Sequence, residues 1–234
     1  YYAMRAILVL FLTDTTLNGG LGWSTKDALD LYGIYTGLVY ITPLIGGWIA
    51  DNYLGQRKSI LIGGLLMALG QFTLALPNGF IGLDQVNALY LGLALLISGN
   101  GMFKPNISTM VGDLYQEGDN RRDGAFTIFY MGINIGGFVA PLLCGWLGQT
   151  YGWHYGFGLA GIGMLTGLLF FWSGIKKNVF GNRGLPPSQE IYEKKLFGVP
   201  QKTMIPILSF LAAPLIALLL FYYKSLGAEG TWLE

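Results

Sequence analysis

The chain has 234 residues, 53% hydrophobic and only 12% charged, with a formal net charge of +1 and a mean hydropathy of +0.49. Soluble domains carry about 25% charged residues, so half that share excludes an ordinary water-soluble globule. A net charge near zero supplies no basic field for nucleic acid. The single Cys144 and the single His154 exclude a disulfide framework, a multi-thiolate metal site and a histidine cluster.

A helix that crosses a bilayer needs about 20 mostly apolar residues. Seven apolar segments follow one another: 1–12, 28–50, 59–76, 83–112, 126–148, 153–175 and 203–223. The first is too short to span. It starts inside a hydrophobic run without Met, so the chain is expected to be a fragment whose first helix is clipped; the opening also lacks the basic region and cleavage site of a signal peptide. Short connections among the first six segments predict antiparallel neighbours. The polar stretch 176–202, with Pro186-Pro187 and mixed charges, predicts a solvent-exposed linker ahead of the seventh.

Lys and Arg gather in short cytoplasmic loops. One set of alternate connections holds Arg57-Lys58, Arg121-Arg122 and Lys176-Lys177-Arg183, and the opposite set holds Lys26 alone. This asymmetry predicts six crossings before the linker and a cytoplasmic amino terminus. The expected fold is all-α and polytopic: a six-helix bundle over 1–175, a cytoplasmic linker over 176–202 and one additional membrane helix over 203–223.

Two cations break the apolar pattern. Arg5 lies in the first segment and Lys104 in the fourth, and no carboxylate lies within a helical turn of either. A cation near the middle of a membrane helix costs about 2.5–3.5 kcal/mol on insertion scales. Two of them point to an anionic substrate group that comes and goes, such as a carboxylate. The plainer alternative for each is a long side chain snorkelling to the interface. Tyr1 and Tyr2 stand four and three residues before Arg5, so either can share its helical face, and Tyr130 and Asn134 are likewise four apart. Tyrosine offers an apolar body with one hydroxyl, and asparagine offers the donor and acceptor that a peptide bond requires. Taken alone, a membrane tyrosine is more often packing than ligand, and Asn134 can serve as an interhelical hydrogen bond.

Other residues carry structural expectations. Trp48, Trp146, Trp153 and Trp172 fall near segment ends and read as interfacial anchors, and His154 reads as a loop residue. Gly63, Gly64, Gly70, Gly132, Gly136 and Gly137 read as packing surfaces. Pro105 and Pro141 should kink their helices. Asp51 and Arg57 face each other across a two-helix turn and can brace it in one conformer, or can simply fix topology.

Four stretches carry a resemblance. Gly46-Gly47-Trp48-Ile49-Ala50-Asp51-Asn52-Tyr53-Leu54-Gly55-Gln56-Arg57-Lys58 resembles the loop between helices two and three of the major facilitator superfamily, with one extra residue between Asp51 and Gly55. In that longer form it is similar to the first signature of the proton-dependent oligopeptide transporter family. Phe126-Thr127-Ile128-Phe129-Tyr130-Met131-Gly132-Ile133-Asn134-Ile135-Gly136-Gly137-Phe138 resembles the second signature. Gly99-Asn100-Gly101-Met102-Phe103-Lys104-Pro105-Asn106 resembles the fourth-helix motif, and Tyr1-Tyr2-Ala3-Met4-Arg5 the tail of the first-helix motif, which in the family begins with two glutamates and an arginine upstream.

The resemblance, over about residues 1 to 180, implies the amino-terminal half of a bacterial-type symporter. That protein would import di- and tripeptides with protons across the plasma membrane by alternating access, without a bound cofactor, metal or enzymatic activity. It implies that Arg5 and Lys104 form a basic pocket for the peptide carboxylate, that Tyr2 and Tyr40 line the cavity, and that Tyr130 and Asn134 meet the peptide backbone. Asp51 and Arg57 would act in gating. Gly33 stands where animal relatives carry a histidine, so proton movement would pass through carboxylates. The carboxy-terminal half, with its acidic partner for the peptide amine, is outside this sequence. The alternatives are a facilitator for another small anion such as nitrate and a peptide receptor on the same fold. A membrane-embedded hydrolase is weaker, since the segments hold no Ser-His, paired-carboxylate or metal constellation.

Overall fold

The computed structural model describes residues 1–116, 118–187, 195–196 and 199–228. Among the described residues seven α-helices run in chain order: α1 (Tyr2–Thr13), α2 (Thr25–Ile49), α3 (Gln56–Leu74), α4 (Gln85–Asp113), α5 (Arg121–Tyr151), α6 (Trp153–Lys176) and α7 (Gln201–Ala228). The only pairing of strands among the described residues joins β1 (Lys195–Leu196) to β2 (Val199–Pro200). Of the described residues' helices, five are long and apolar enough to cross a membrane: α2 with the turn that follows it, α4, α5, α6 and α7. The chain is therefore a multi-pass membrane protein. Of the other two expected segments, α1 has 12 residues, and α3 has 19 that include Arg57, Lys58 and Gln71.

Helix starts follow from short polar side chains. Ser24 caps α2 by accepting from the Asp27 amide, and its hydroxyl donates to the Asp27 carboxylate at 2.7 Å. Asp84 caps α4 through the Asn87 amide. Between α2 and α3 the backbone widens into a π-helical turn (Ala50–Leu54) that ends at Gly55, whose φ is +74°. A π turn holds one residue more than an α turn, so this is where the extra residue between Asp51 and Gly55 is taken up.

The core is one cluster. In α1, Met4, Ile7, Leu8, Phe11 and Leu12 are buried, the three-four spacing of a single inward stripe. Against it pack Tyr35 and Val39 of α2, Leu93 and Ile97 of α4 and Phe157 of α6. The α3–α4 seam is made of glycine. A Cβ on Gly63 would lie 2.6 Å from the Gly99 carbonyl oxygen, and one on Gly70 would lie 2.8 Å from that of Gly92. Positions seven apart on α3 thus meet positions seven apart, in reverse order, on α4, as antiparallel helices require.

Three hydrogen bonds from side chain to main chain stitch α2 to α4. Asn100 donates to the Val39 carbonyl at 3.2 Å, Thr42 to the Ile97 carbonyl at 3.2 Å, and the buried Asn106 to the Gly46 carbonyl at 3.4 Å. Pro105 lacks the N–H that would bond the Gly101 carbonyl. That carbonyl lies against Gly46, where a Cβ would have no room.

The glycines of α5 behave differently from those of α3. Gly132 and Gly136 have nothing within 4 Å of a Cβ position, and Gly137 meets only the Tyr2 ring. They form an open face in this chain, not the packing surface their type suggests. Trp153 is not a lipid-facing anchor either. It is 3% exposed, its indole donates to Asp14 at 2.8 Å, and its ring meets Phe11 edge-on, whereas Trp48, Trp146 and Trp172 are exposed as expected. His154 sits in the first turn of α6 and not in a loop, because Gly152 (φ +118°) turns the chain directly from α5 into α6.

The first part of the expected linker folds back onto the bundle. Arg57 donates through Nη2 to the Gly181 carbonyl at 2.6 Å and through its backbone N–H to the Gly184 carbonyl at 3.0 Å. Arg183 donates to the Leu114 carbonyl at 2.7 Å. Residues 178–186 thereby cross the start of α3 and the end of α4. The rest of the linker includes 188–194 and 197–198, which lie outside the described residues, as do 229–234. Beyond it α7 lies along α4, where the Phe221 ring meets Tyr90 edge-on at 5.8 Å and Ala213 and Leu220 are buried.

Candidate functional site

Arg5 projects from α1 toward α2. Its Nη2 donates to the Tyr32 hydroxyl at 3.2 Å, and its guanidinium carbon lies 5.8 Å from the Tyr1 ring centre and 5.7 Å from that of Tyr32. Cation–aromatic contacts within about 6 Å are attractive by 0.5–2 kcal/mol, more where water is excluded. The Nε of Arg5 is buried and has no hydrogen-bond partner. Arg5 also stands within electrostatic reach of the Tyr40 hydroxyl.

Lys104 enters from α4, with Nζ 5.0 Å from the centre of the Tyr40 ring. Tyr40 is therefore a neighbour of both cations. The single ion pair among the described residues is Arg121 with Asp119, at the surface. Among the described residues neither Arg5 nor Lys104 meets a carboxylate, and both keep donors to offer.

Tyr2, next to Tyr1 in sequence, faces α5 instead. Its ring lies 3.8 Å from a Cβ position on Gly137 and meets the Tyr1 ring edge-on at 5.7 Å. Tyr130, Asn134 and Gly137 follow at four and three residues on α5, so they share the face that Tyr2 touches. Tyr130 is 54% exposed and stacks on Phe126, and Asn134 is exposed. The candidate residues thus form two groups, Arg5, Tyr40 and Lys104 between α1, α2 and α4, and Tyr2, Tyr130 and Asn134 between α1 and α5. The Tyr1–Tyr2 contact joins them.

Asp51 and Arg57 are not paired with each other. The Asp51 carboxylate accepts from Gln56 at 3.2 Å, while Arg57 holds the 178–186 turn and lies 5.8 Å from the Phe180 ring centre.

The structure adds Tyr32, Tyr35 and Thr36 to the first group. Tyr35 is fully buried, and the hydroxyls of Tyr35, Thr36 and Tyr1 are buried without a partner. The signal in the sequence was the spacing Tyr32, Thr36, Tyr40, one helical turn apart each time and on one face of α2.

The sequence pattern of the POT family (PTR2) matches residues 57–199. The peptide transporter YePEPT of Yersinia enterocolitica subsp. palearctica is 48% identical over 171 residues, covering 73% of this chain and 33% of that protein. A di-/tripeptide transporter of Lactococcus lactis subsp. cremoris is 41% identical over 227 residues, 96% of this chain and 44% of that protein. The crystal structure of the peptide transporter POT in complex with sulfate matches with a TM-score of 0.75 and 40% identity, over 100% of this chain and 44% of that one. The chain spans less than half the length of these relatives. The family pattern covers more than half of the chain, in a fold shared with a solved member, and the chain belongs to the POT family.

Proposed function

We propose that this chain is the amino-terminal half of a proton-coupled symporter that imports di- and tripeptides by alternating access. The observation that carries the reading is the pair of cations beside Tyr40, with Lys104 over its ring and, among the described residues, no carboxylate on either. A site of this charge favours a substrate with an anionic end, and a dipeptide supplies a carboxylate at one terminus. The relatives described as peptide and di-/tripeptide transporters support the same substrate class, and transport rather than catalysis.

In this reading Arg5 and Lys104 neutralise the peptide carboxylate, and Tyr2, Tyr40, Tyr130 and Asn134 hold its backbone. Carriers of this kind bind substrate near the bilayer midplane between two halves that rock about it. Protons are the coupling ion: protonating a carboxylate that pairs with the cations releases them to bind substrate. Asp51 and Arg57 act at the basic end, which faces the cytoplasm of a plasma-membrane protein whose amino terminus is cytoplasmic. The helices 1–175 form one bundle, and 203–223 lies in the connection to a second half.

The test is peptide-driven acidification of proteoliposomes containing the full-length protein. Di- and tripeptides should acidify the lumen, whereas nitrate and free amino acids should not. Lys104→Ala should abolish peptide-dependent proton entry. Proton-driven uptake at the wild-type rate in that variant would refute the role given to Lys104.

A further inference from the structure

The grip on Arg5 exceeds what placing a positive charge would need. The Tyr32 hydroxyl accepts from Nη2, the Tyr32 and Tyr1 rings lie within 6 Å of the guanidinium carbon, and Nε–H is buried but unmet. A guanidinium is planar and presents its five N–H donors in a fixed fork, so fixing one of them orients all the others. Carboxylates bind such a fork best through two parallel bonds, and that demands a set rotation of the plane. An arginine on a flexible stem does not hold that rotation unaided.

We propose that Tyr32 is the positioning residue for Arg5. Its hydroxyl sets the rotation of the guanidinium plane and its ring limits tilting, so that the remaining Nη donors face a carboxylate-bearing ligand. This rests on the reading of Arg5 as the anchor of the peptide carboxylate. Tyr32 itself makes no contact with the substrate. It acts through Arg5 and contributes selectivity for a free carboxyl terminus rather than general affinity for peptides. The orientation is reinforced from α1, since Tyr1, one turn before Arg5, lies against the same group.

The experiment measures uptake of dialanine and of its carboxy-terminal amide by full-length protein in proteoliposomes. It compares wild type, Tyr32→Phe, Tyr32→Leu, Tyr32→Gln and Arg5→Lys. Tyr32→Phe keeps the ring and removes only the acceptor. It should raise KM for dialanine about tenfold, the loss expected for one hydrogen bond to a charged group, with kcat within about twofold. The KM for the amide should not move. Tyr32→Leu should lose more of the preference for the free acid, and Tyr32→Gln, which restores an acceptor oxygen, should regain part of it. An unchanged preference in Tyr32→Phe, alongside a collapsed one in Arg5→Lys, overturns the role of Tyr32 and leaves the carboxylate anchor standing. An unchanged preference in Arg5→Lys overturns the anchor itself, and the positioning role falls with it. Should Tyr32→Leu fail to fold, the Tyr32→Phe and Tyr32→Gln pair decides alone.

Discussion

Replacing Gly63 with alanine tests how α3 and α4 are joined. The new Cβ would stand 2.6 Å from the Gly99 carbonyl oxygen and 2.7 Å from the Phe103 amide nitrogen. Comfortable contact between such atoms begins near 3.5 Å, so the helices would have to part by roughly 0.8 Å. Both obstacles are main-chain atoms inside helices, which cannot rotate aside as a side chain can. Forcing one methyl into a packed interior costs about 1–3 kcal/mol, and a loss of 2 kcal/mol lowers the ratio of folded to unfolded protein about 30-fold. Helix propensity works in the opposite direction, because Gly→Ala in a helix is worth about 0.5–1 kcal/mol where there is room. Gly167 on α6 has such room, with nothing within 4 Å of its Cβ position. In detergent-purified full-length protein, Gly63→Ala should lower the unfolding midpoint by about 4–8 °C on the scaling for domains of this size. Gly167→Ala should leave it unchanged or slightly higher. A midpoint for Gly63→Ala at or above wild type would show that the seam is not close-packed, and the argument from glycine contacts would fail.

Other outcomes follow from single contacts. Arg57→Ala removes the bond to the Gly181 carbonyl and the contact with Phe180 but keeps the backbone bond to Gly184. Limited proteolysis within residues 178–186 should accelerate about tenfold, since local opening sets the cleavage rate; an unchanged rate would mean that the side chain does not hold the turn. The Asp14 carboxyl, at the end of α1, is held below the usual carboxylate range, foremost by the Asn18 amide and further by the Trp153 indole and the Thr15 backbone N–H, against an opposing effect of burial. A lowered folded pKa gives stability that is fully present above the unfolded value, near about 3.9, and is lost as pH falls through the lowered one. The gap in unfolding midpoint between wild type and Asp14→Asn should therefore be constant above about pH 5 and shrink below about pH 4. A gap that does not vary with pH would exclude ionisation of Asp14 as its source.

Much of the fold is legible because membrane helices announce themselves by length and apolar content. The boundaries of α6, expected at 153–175 and found at Trp153–Lys176, depend on little else. The inward stripe of α1 and the glycines of α3 are likewise local patterns with local consequences. What escaped reading lies across helices. Trp153 has its partner Asp14 far away in sequence, so its place near a segment end suggested an anchor when it is a buried clasp. Gly136 looks like Gly63 in sequence, yet only packing decides which glycine meets a neighbour. In the candidate site, Arg5 and Lys104 stood out as charges in apolar surroundings, and the structure brings both to Tyr40. Tyr32 did not stand out, because its partner sits on another helix and a lone membrane tyrosine is unremarkable.

Pro105 leaves α4 one internal hydrogen bond short at Gly101, and at that level the opposing surface of α2 is the bare backbone of Gly46. A helix bends most readily where a proline has removed one of its bonds. Lys104 is the residue next to that proline. A change of a few degrees in the bend of α4 would swing the ammonium group across Tyr40 while the glycine seam with α3 kept its grip, so the reach of the charge could be adjusted without repacking the bundle.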